Sequence, residues 1–246
     1  MSARSYLYVP GNRPKMMAKA AARGADALIL DLEDAVPASE KADAREQVVS
    51  FLRQRARERP EVWVRLNTGE LLGPAGLAVA ALIESAAGVL SAPAIARAPR
   101  VVRLAIGEAD LRAELGVDPS EDERELAAIR TQIVLASAAA GIEPPIGPVS
   151  TDFTDLDAFR RSTEALRRLG FGARATIHPA QVGIVNEAFT PTAAAIAQAR
   201  RLVDRYESSG GGVLLDDEGR MVDEAVVRAA RRTLSLAGEQ PTPGGC

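Results

Sequence analysis

Residues 27–34 read Ala-Leu-Ile-Leu-Asp-Leu-Glu-Asp. Four consecutive apolar residues are too short a run for a helix and show no alternation, so Ala27–Leu30 reads as a strand buried on both faces. The run stops abruptly in acids: Asp31, Glu33 and Asp34. Working outward, the same sentence structure repeats. Ser5–Pro10 is a strand-like start, followed by Gly11-Asn12 and a helix over Arg13–Arg23 with Pro14 in its first turn and Gly24 past its end. A helix around Lys41–Ala56 leads into a strand over Glu61–Leu66. Further short apolar runs are Val79–Ile83, Val101–Ile106, Pro145–Val149 and Ala173–Ile177, with long helical patterns at Glu121–Ala140 and Asp155–Leu169. Apolar strands alternating with amphipathic helices predict a parallel sheet covered on its outer face, an α/β fold.

The carboxyl ends of parallel strands converge on one face, where α/β sites are built. Here those ends carry Asp31, Glu33 and Asp34; Arg65 and Asn67; Glu84; Gly107, Glu108 and Asp110; and His178. Polar residues at any one strand end could simply mark the exit from the core. Five in succession, with Arg, Glu, Asp and the single His, point to a rim with chemistry. Carboxylates without a His/Cys set suit a hard, oxygen-loving cation such as Mg²⁺ and disfavour zinc. Arg65 beside such a cation supplies fixed positive charge for an anionic substrate or a developing enolate. The residues alone therefore suggest a Mg²⁺-assisted enzyme acting on a small carboxylate, with substrate and reaction open.

Composition excludes other classes. Lys+Arg number 30 against 33 Asp+Glu, a net charge of −3, and aromatics are 4%, so nucleic-acid binding has no support. Hydrophobic residues at 47% and charged at 26% are ordinary for a globular chain. No apolar run approaches the ~20 residues of a spanning helix, the N-terminus has no signal-peptide core, and the one cysteine is Cys246. The expectation is a soluble cytoplasmic protein without membrane or nucleic-acid partners.

Read as words, the strand ends match a family. Leu7-Tyr-Val-Pro-Gly-Asn-Arg13, Leu30-Asp-Leu-Glu-Asp-Ala-Val36 with Lys41 and Arg45, Val64-Arg-Leu-Asn67, Leu82-Ile-Glu-Ser85, Gly107-Glu-Ala-Asp-Leu111, Ile177-His-Pro-Ala-Gln181 and Gly219-Arg-Met-Val-Asp223 occur in that order. Over about residues 4–236 the chain resembles the citrate lyase β-subunit-like (CitE-like) branch of the HpcH/HpaI aldolase family, near malyl-CoA and citramalyl-CoA lyases. The resemblance implies a TIM-type (β/α)8 barrel over 1–190, a C-terminal helical lid over 191–236 and a tail over 237–246. It implies a carbon–carbon lyase or synthase that interconverts a 3-hydroxyacyl-CoA thioester with an acyl-CoA and a 2-oxo acid, with Mg²⁺ as cofactor and coenzyme A carried by the substrate. Alternatives are a citrate lyase β subunit acting on an acyl-carrier-protein thioester, and a non-catalytic barrel that binds CoA or a carboxylate.

Carried over residue by residue, Glu84 and Asp110 would ligate Mg²⁺, with Glu33 and Asp34 behind them through water. Arg65 would stabilise the departing enolate, and Asp223 would exchange a proton with the acyl-CoA α-carbon. Arg13 and Lys19 would meet CoA phosphates, and a homo-oligomer (trimer or hexamer) would share the site between subunits. Plainer roles stand beside these: Glu33 and Asp34 as helix caps, Arg65 as a strand-end ion pair, Arg13 and Lys19 as solvated charges, Asp223 as the cap of a last helix. His178 is expected to shape the rim, not to act chemically. One departure is plain. Relatives have a further strand between the Arg-bearing and Leu-Ile-Glu strands, and Thr68–Val79 is too short for a βαβ crossover of at least ~10–12 residues plus that strand. The chain therefore predicts seven strands: either a barrel short of one β/α unit, or a sequence that lacks a natural segment.

Overall fold

A computed structural model describes residues 2–55, 59–67, 76–210, 212–216 and 218–238. They divide into two compact units, Ala3–Phe189 and a C-terminal unit from Thr190 that also takes in Ser2. In the first unit β1 (Ser5–Pro10), β2 (Ala27–Asp31), β3 (Glu61–Arg65), β4 (Val79–Ile83), β5 (Val101–Ile106), β6 (Glu143–Gly147) and β7 (Ala173–Thr176) form one sheet. Its order is β3-β2-β1-β7-β6-β5-β4, and every pair is parallel. The fold is a curled, incomplete TIM-type α/β barrel. Strands consecutive in the chain, β3 and β4, lie at opposite ends of the sheet order, so the missing unit is between them. The connection over 68–75 lies outside the described residues.

Helices α1 (Pro14–Ala20), α2 (Lys41–Gln54), α3 (Ala86–Ala96), α4 (Glu108–Leu115), α5 (Ala127–Ala140), α6 (Leu156–Leu169) and α7 (Pro179–Ala188) return the chain between strands. Two cores hold helices to sheet: Leu7, Val9, Leu28 and Leu30 pack with Met17 and Val48 on one side. Leu104 and Ile106 pack with Val89, Ile133, Phe159 and Leu166 on the other. At the floor of the barrel Arg103 is buried. Its Nη1 donates to Ala3 O at 3.1 Å and Tyr6 Oη at 2.9 Å, and its Nε to Pro144 O at 2.5 Å. A charge shut in there keeps its hydrogen bonds, as burial requires.

Several expected bounds move, three of them for evident local reasons. The sixth strand runs over Glu143–Gly147, two residues earlier than Pro145–Val149, because the carbonyls of Pro144 and Pro145 still serve as acceptors, for Arg103 and Gly172. The helix expected from Glu121 begins as α5 at Ala127. Glu123 takes a left-handed φ of 53° and turns back to Arg130 Nη2 at 2.8 Å. The first helix stops at Ala20, not Arg23, ahead of Gly24 at φ 79°.

Neighbouring helices α3 and α5 show an unusual outer face. No residue of α3 is charged, and the one charge on α5, Arg130, is buried. Leu90 on α3 is 80% exposed and Leu135 on α5 is 62% exposed.

The C-terminal unit holds α8 (Ala193–Ser208), a two-stranded ribbon of β8 (Leu214–Leu215) and β9 (Met221–Val222), and α9 (Glu224–Leu236). Val203, Val222, Val227 and Leu234 form its own core. Asp217 and the tail over 239–246 lie outside the described residues.

Arg130 sets α5 against the rim. Its Nε and Nη2 grip Glu108 at 2.6 and 2.7 Å, and both partners are buried. Removing one member of a buried pair leaves the other uncompensated. Arg130→Ala is expected to lower stability by about 3–5 kcal/mol in urea unfolding, against less than about 0.5 kcal/mol for the exposed Arg124→Ala.

Candidate active site

Strand alternation decides which side chains reach the rim interior. Asp31 and Arg65 are directly paired in the β2–β3 register, and both point inward with Ile29 and Trp63 below them. Arg65 is the hub. Its Nη2 lies 2.7 Å from Glu33 Oε2, 2.7 Å from Asp34 Oδ2 and 3.6 Å from Glu84 Oε2, and its Nη1 lies 3.5 Å from Asp31 Oδ2. Glu84 follows β4, so this contact spans the seam where the sheet does not close. Burial alone would lower the Arg65 pKa, but Asp31, Tyr8, Glu33 and Asp34 raise it, so the cation is firmly held.

The backbone is cut to admit these groups. Asp31 Oδ1 accepts the Glu33 N–H at 2.7 Å, and the Leu32 N–H donates to Arg65 O at 3.0 Å, which pins the acidic loop to β3. A Cβ on Gly11 would sit 2.8 Å from Asp31 O, and one on Gly107 would sit 2.7 Å from Glu84 Cβ. Both contacts are closer than a side chain tolerates, so both close approaches depend on glycine.

Glu84 and Asp110, the latter in the first turn of α4, line one cavity of about 390 Å³ together with Asp31, Asp34 and Arg65. Burial holds the Glu84 carboxyl above its usual range; Arg65 opposes this, and Asp110, Glu33 and Asp34 reinforce it. Its Oε2 is buried without a hydrogen-bond donor among the described residues. Burial likewise pushes the Tyr8 hydroxyl up to about 12, so it stays a phenol at neutral pH.

This donor set fits a hard divalent cation. Several carboxylates surround a single guanidinium, and one buried carboxylate oxygen lacks a donor, a deficit that a cation removes. Among the described residues no three His, Cys, Asp or Glu side chains form a ready cage. Two carboxylates with the remaining positions left to water and substrate is the ordinary way Mg²⁺ is held.

Glu33 and Asp34 stay at the rim, and the other expected residues fall elsewhere. Glu33 and Asp34 do not cap a helix; they pair with Arg65. Arg13 precedes α1 and Lys19 lies in its last turn, about 9 Å apart along the axis. Both are exposed, and neither is among the cavity's lining residues. Asp223 caps α9 in the C-terminal unit, accepting from Ala225 N at 2.9 Å and Val226 N at 3.0 Å. His178 caps α7 through Nδ1 and stacks on Phe153 at 5.2 Å. Asp31, Tyr8 and Glu108 received no role from the sequence. For Asp31 the signal was present, since period-two counting from Ile29 turns it inward.

The HpcH/HpaI aldolase/citrate lyase family model matches residues 4–71 and 74–179. The chain belongs to that family. Its match breaks at the seam, between 71 and 74. The chain is 32% identical to a citrate lyase subunit beta-like protein of Deinococcus radiodurans, across 94% of this chain and 96% of that protein. That match runs over 274 positions while this chain has 246 residues, so the relative carries extra residues inside the matched span. A (3S)-malyl-CoA thioesterase of Cereibacter sphaeroides is 33% identical, with 95% and 94% covered. The citrate lyase subunit beta of Leuconostoc mesenteroides is 30% identical, with 95% and 93% covered. The structure of CitE from Mycobacterium tuberculosis in complex with magnesium, acetoacetate and coenzyme A superposes with TM-score 0.78 at 30% identity, covering 97% of this chain and 99% of that one. Members of this family are lyases that act on CoA esters.

Losing the hub should be costly before any chemistry is measured. Arg65→Ala is expected to destabilise the protein by about 2–3 kcal/mol. A double-mutant cycle with Asp31→Asn, read by chemical denaturation, should give a coupling of about 1 kcal/mol or more.

Proposed function

We propose that this chain is a Mg²⁺-dependent carbon–carbon lyase or synthase that interconverts a malyl- or citramalyl-like 3-hydroxyacyl-CoA thioester with an acyl-CoA and a 2-oxo acid. The observation that supports it most is the convergence of Arg65 with Glu84 across the seam, in a cavity that Asp110 also lines. Glu84 and Asp110 would hold the cation, with Glu33 and Asp34 behind them. When bound, it would withdraw electron density from the hydroxyl oxygen that becomes the carbonyl of the 2-oxo acid.

The chain's own groups do the rest. In cleavage the hydroxyl gives its proton to solvent water, the carbon–carbon bond breaks, and its electron pair emerges as a thioester enolate. Arg65 faces that charge as a preorganised cation whose orientation Asp31 and Glu33 hold, so no reorganisation is needed when it develops. Asp223 is proposed to return a proton to the enolate carbon. Arg13 and Lys19 are proposed contacts for CoA phosphates, placed outside the cavity as a long cofactor arm requires.

The likeness to the Leuconostoc subunit supports a second reading, a β subunit that acts on an acyl-carrier-protein thioester. A cytoplasmic location is proposed on composition, and no helix among the described residues is long and apolar enough to cross a membrane. A homo-oligomer with a site shared between subunits is proposed as well. The uncharged face of α3 and α5 supports self-association, because two copies can meet there without burying like charges.

Purified protein should cleave malyl- or citramalyl-type CoA thioesters only with Mg²⁺; EDTA should abolish the reaction and added Mg²⁺ restore it. Arg65→Ala should lower kcat/KM by about 10²–10³-fold, and Asp110→Ala should remove Mg²⁺-dependent turnover. Activity that needs partner subunits and a carrier-protein thioester would favour the second reading, and no turnover with either would favour a binding barrel without chemistry. Leu90→Glu should shift the mass in light scattering from oligomer toward monomer.

A further inference from the structure

One pleat below the rim, about 6–7 Å deeper, the barrel interior changes from charged to apolar. Tyr8, Ile29 and Trp63 stand side by side there, Tyr8 in register with Ile29 and Ile29 with Trp63. The other half of the sheet answers with the small residues Ala80, Ala105 and Ala175, set between Leu82 and Ile146, which flank Ala105 in register. In a complete barrel, layers of bulky branched side chains from alternate strands fill this volume. Here Tyr8, Ile29, Trp63, Ala80 and Ala105 are each only partly buried, and the space they line is continuous with the cavity that holds Arg65, Glu84 and Asp110. A volume of 390 Å³ is within the range of about 300–1,000 Å³ that takes drug-sized ligands. A two- or three-carbon oxo acid, with the cation and the thioester end at the rim, would leave the inner apolar part of it unfilled.

We propose that this inner chamber is a side-chain subsite, and that the 2-oxo acid this chain uses carries an apolar alkyl tail of about three to six carbons in place of hydrogen or methyl. The tail would descend between Trp63 and the alanines while the carboxylate stays at the rim, beside the cation that Glu84 and Asp110 would hold. The proposal rests on the proposed function, which puts that cation at the rim. The chemistry that recognises the tail is burial of methylenes against an apolar wall, worth about fourfold in affinity for each one.

Trp63 is the only tryptophan in the chain, so its fluorescence reports the chamber directly. The full-length protein with Mg²⁺ would be titrated with pyruvate, 2-oxobutanoate, 2-oxohexanoate and 2-oxooctanoate. The expected result is a blue shift of Trp63 emission that grows with tail length, and a Kd that falls about fourfold per methylene up to 2-oxohexanoate. Ala105→Leu, with Ala105→Val as the milder filling, should flatten the series and cut the preference for 2-oxohexanoate over pyruvate by at least about tenfold. Circular dichroism establishes that each variant is folded. A flat series in the unmodified protein, no Trp63 response to the long acids, or a preference that folded filling variants leave intact would overturn the subsite. Tail-dependent binding without carbon–carbon cleavage would instead sink the lyase assignment and leave the subsite standing. Cleavage confined to short acids, with no tail effect, would do the reverse.

Discussion

Arg65 stands where β3 ends and the sheet stops, and its guanidinium does what the missing strand would otherwise do. A backbone ladder would close a complete barrel at this point; here ion pairs at 2.7–3.6 Å connect the acidic loop after β2 with Glu84 after β4. Both cannot be optimised at once. An arginine satisfied by carboxylates stabilises the rim, while burial, reinforced by the same carboxylates in excess of one cation, leaves Glu84 raised in pKa, and its Oε2 is short of a donor. Structure and proposed chemistry thus draw on a single electrostatic arrangement, which explains why acids that a fold alone would avoid crowding are kept together.

Around that hub the remaining devices are positional. Asp31 fixes the acidic loop by accepting from Glu33 and orients the guanidinium. Glu108 and Arg130 lock the start of α4, and so the site of Asp110, to α5. Gly11 and Gly107 keep the backbone thin where Asp31 and Glu84 must approach. None of these residues needs to touch a substrate to matter for catalysis, because each limits where a reacting side chain can be.

Much of this was legible in the sequence, for a physical reason. Runs such as Ala27–Leu30 and Val101–Ile106 have no alternation and end in acids or glycine, a signature only doubly covered parallel strands carry. The seven-strand count followed from arithmetic on Thr68–Val79. What was not legible lay in long-range partnerships. Nothing local says that Glu108 would be consumed by Arg130, 22 residues on, while Asp110 two positions later faces the cavity. The strand expected from Pro145 begins at Glu143, because the chain can use the carbonyls of Pro144 and Pro145 and forgo their missing N–H groups. The depth of the chamber was equally hidden, since Ala80, Ala105 and Ala175 are unremarkable until strand order sets them against Tyr8, Ile29 and Trp63.

The seam has a mechanical meaning as well. A closed tube resists torsion because shear runs unbroken around its wall, whereas a tube slit along its length twists easily even when the wall is unchanged. Among the described residues this sheet is slit between β3 and β4, with Arg65 on one lip and Glu84 on the other. Twisting one lip past the other is therefore the softest distortion the sheet offers, and it slides the guanidinium along the rim relative to Glu84 and Asp110. The fold has placed its most compliant coordinate across the line where the proposed bond breaks.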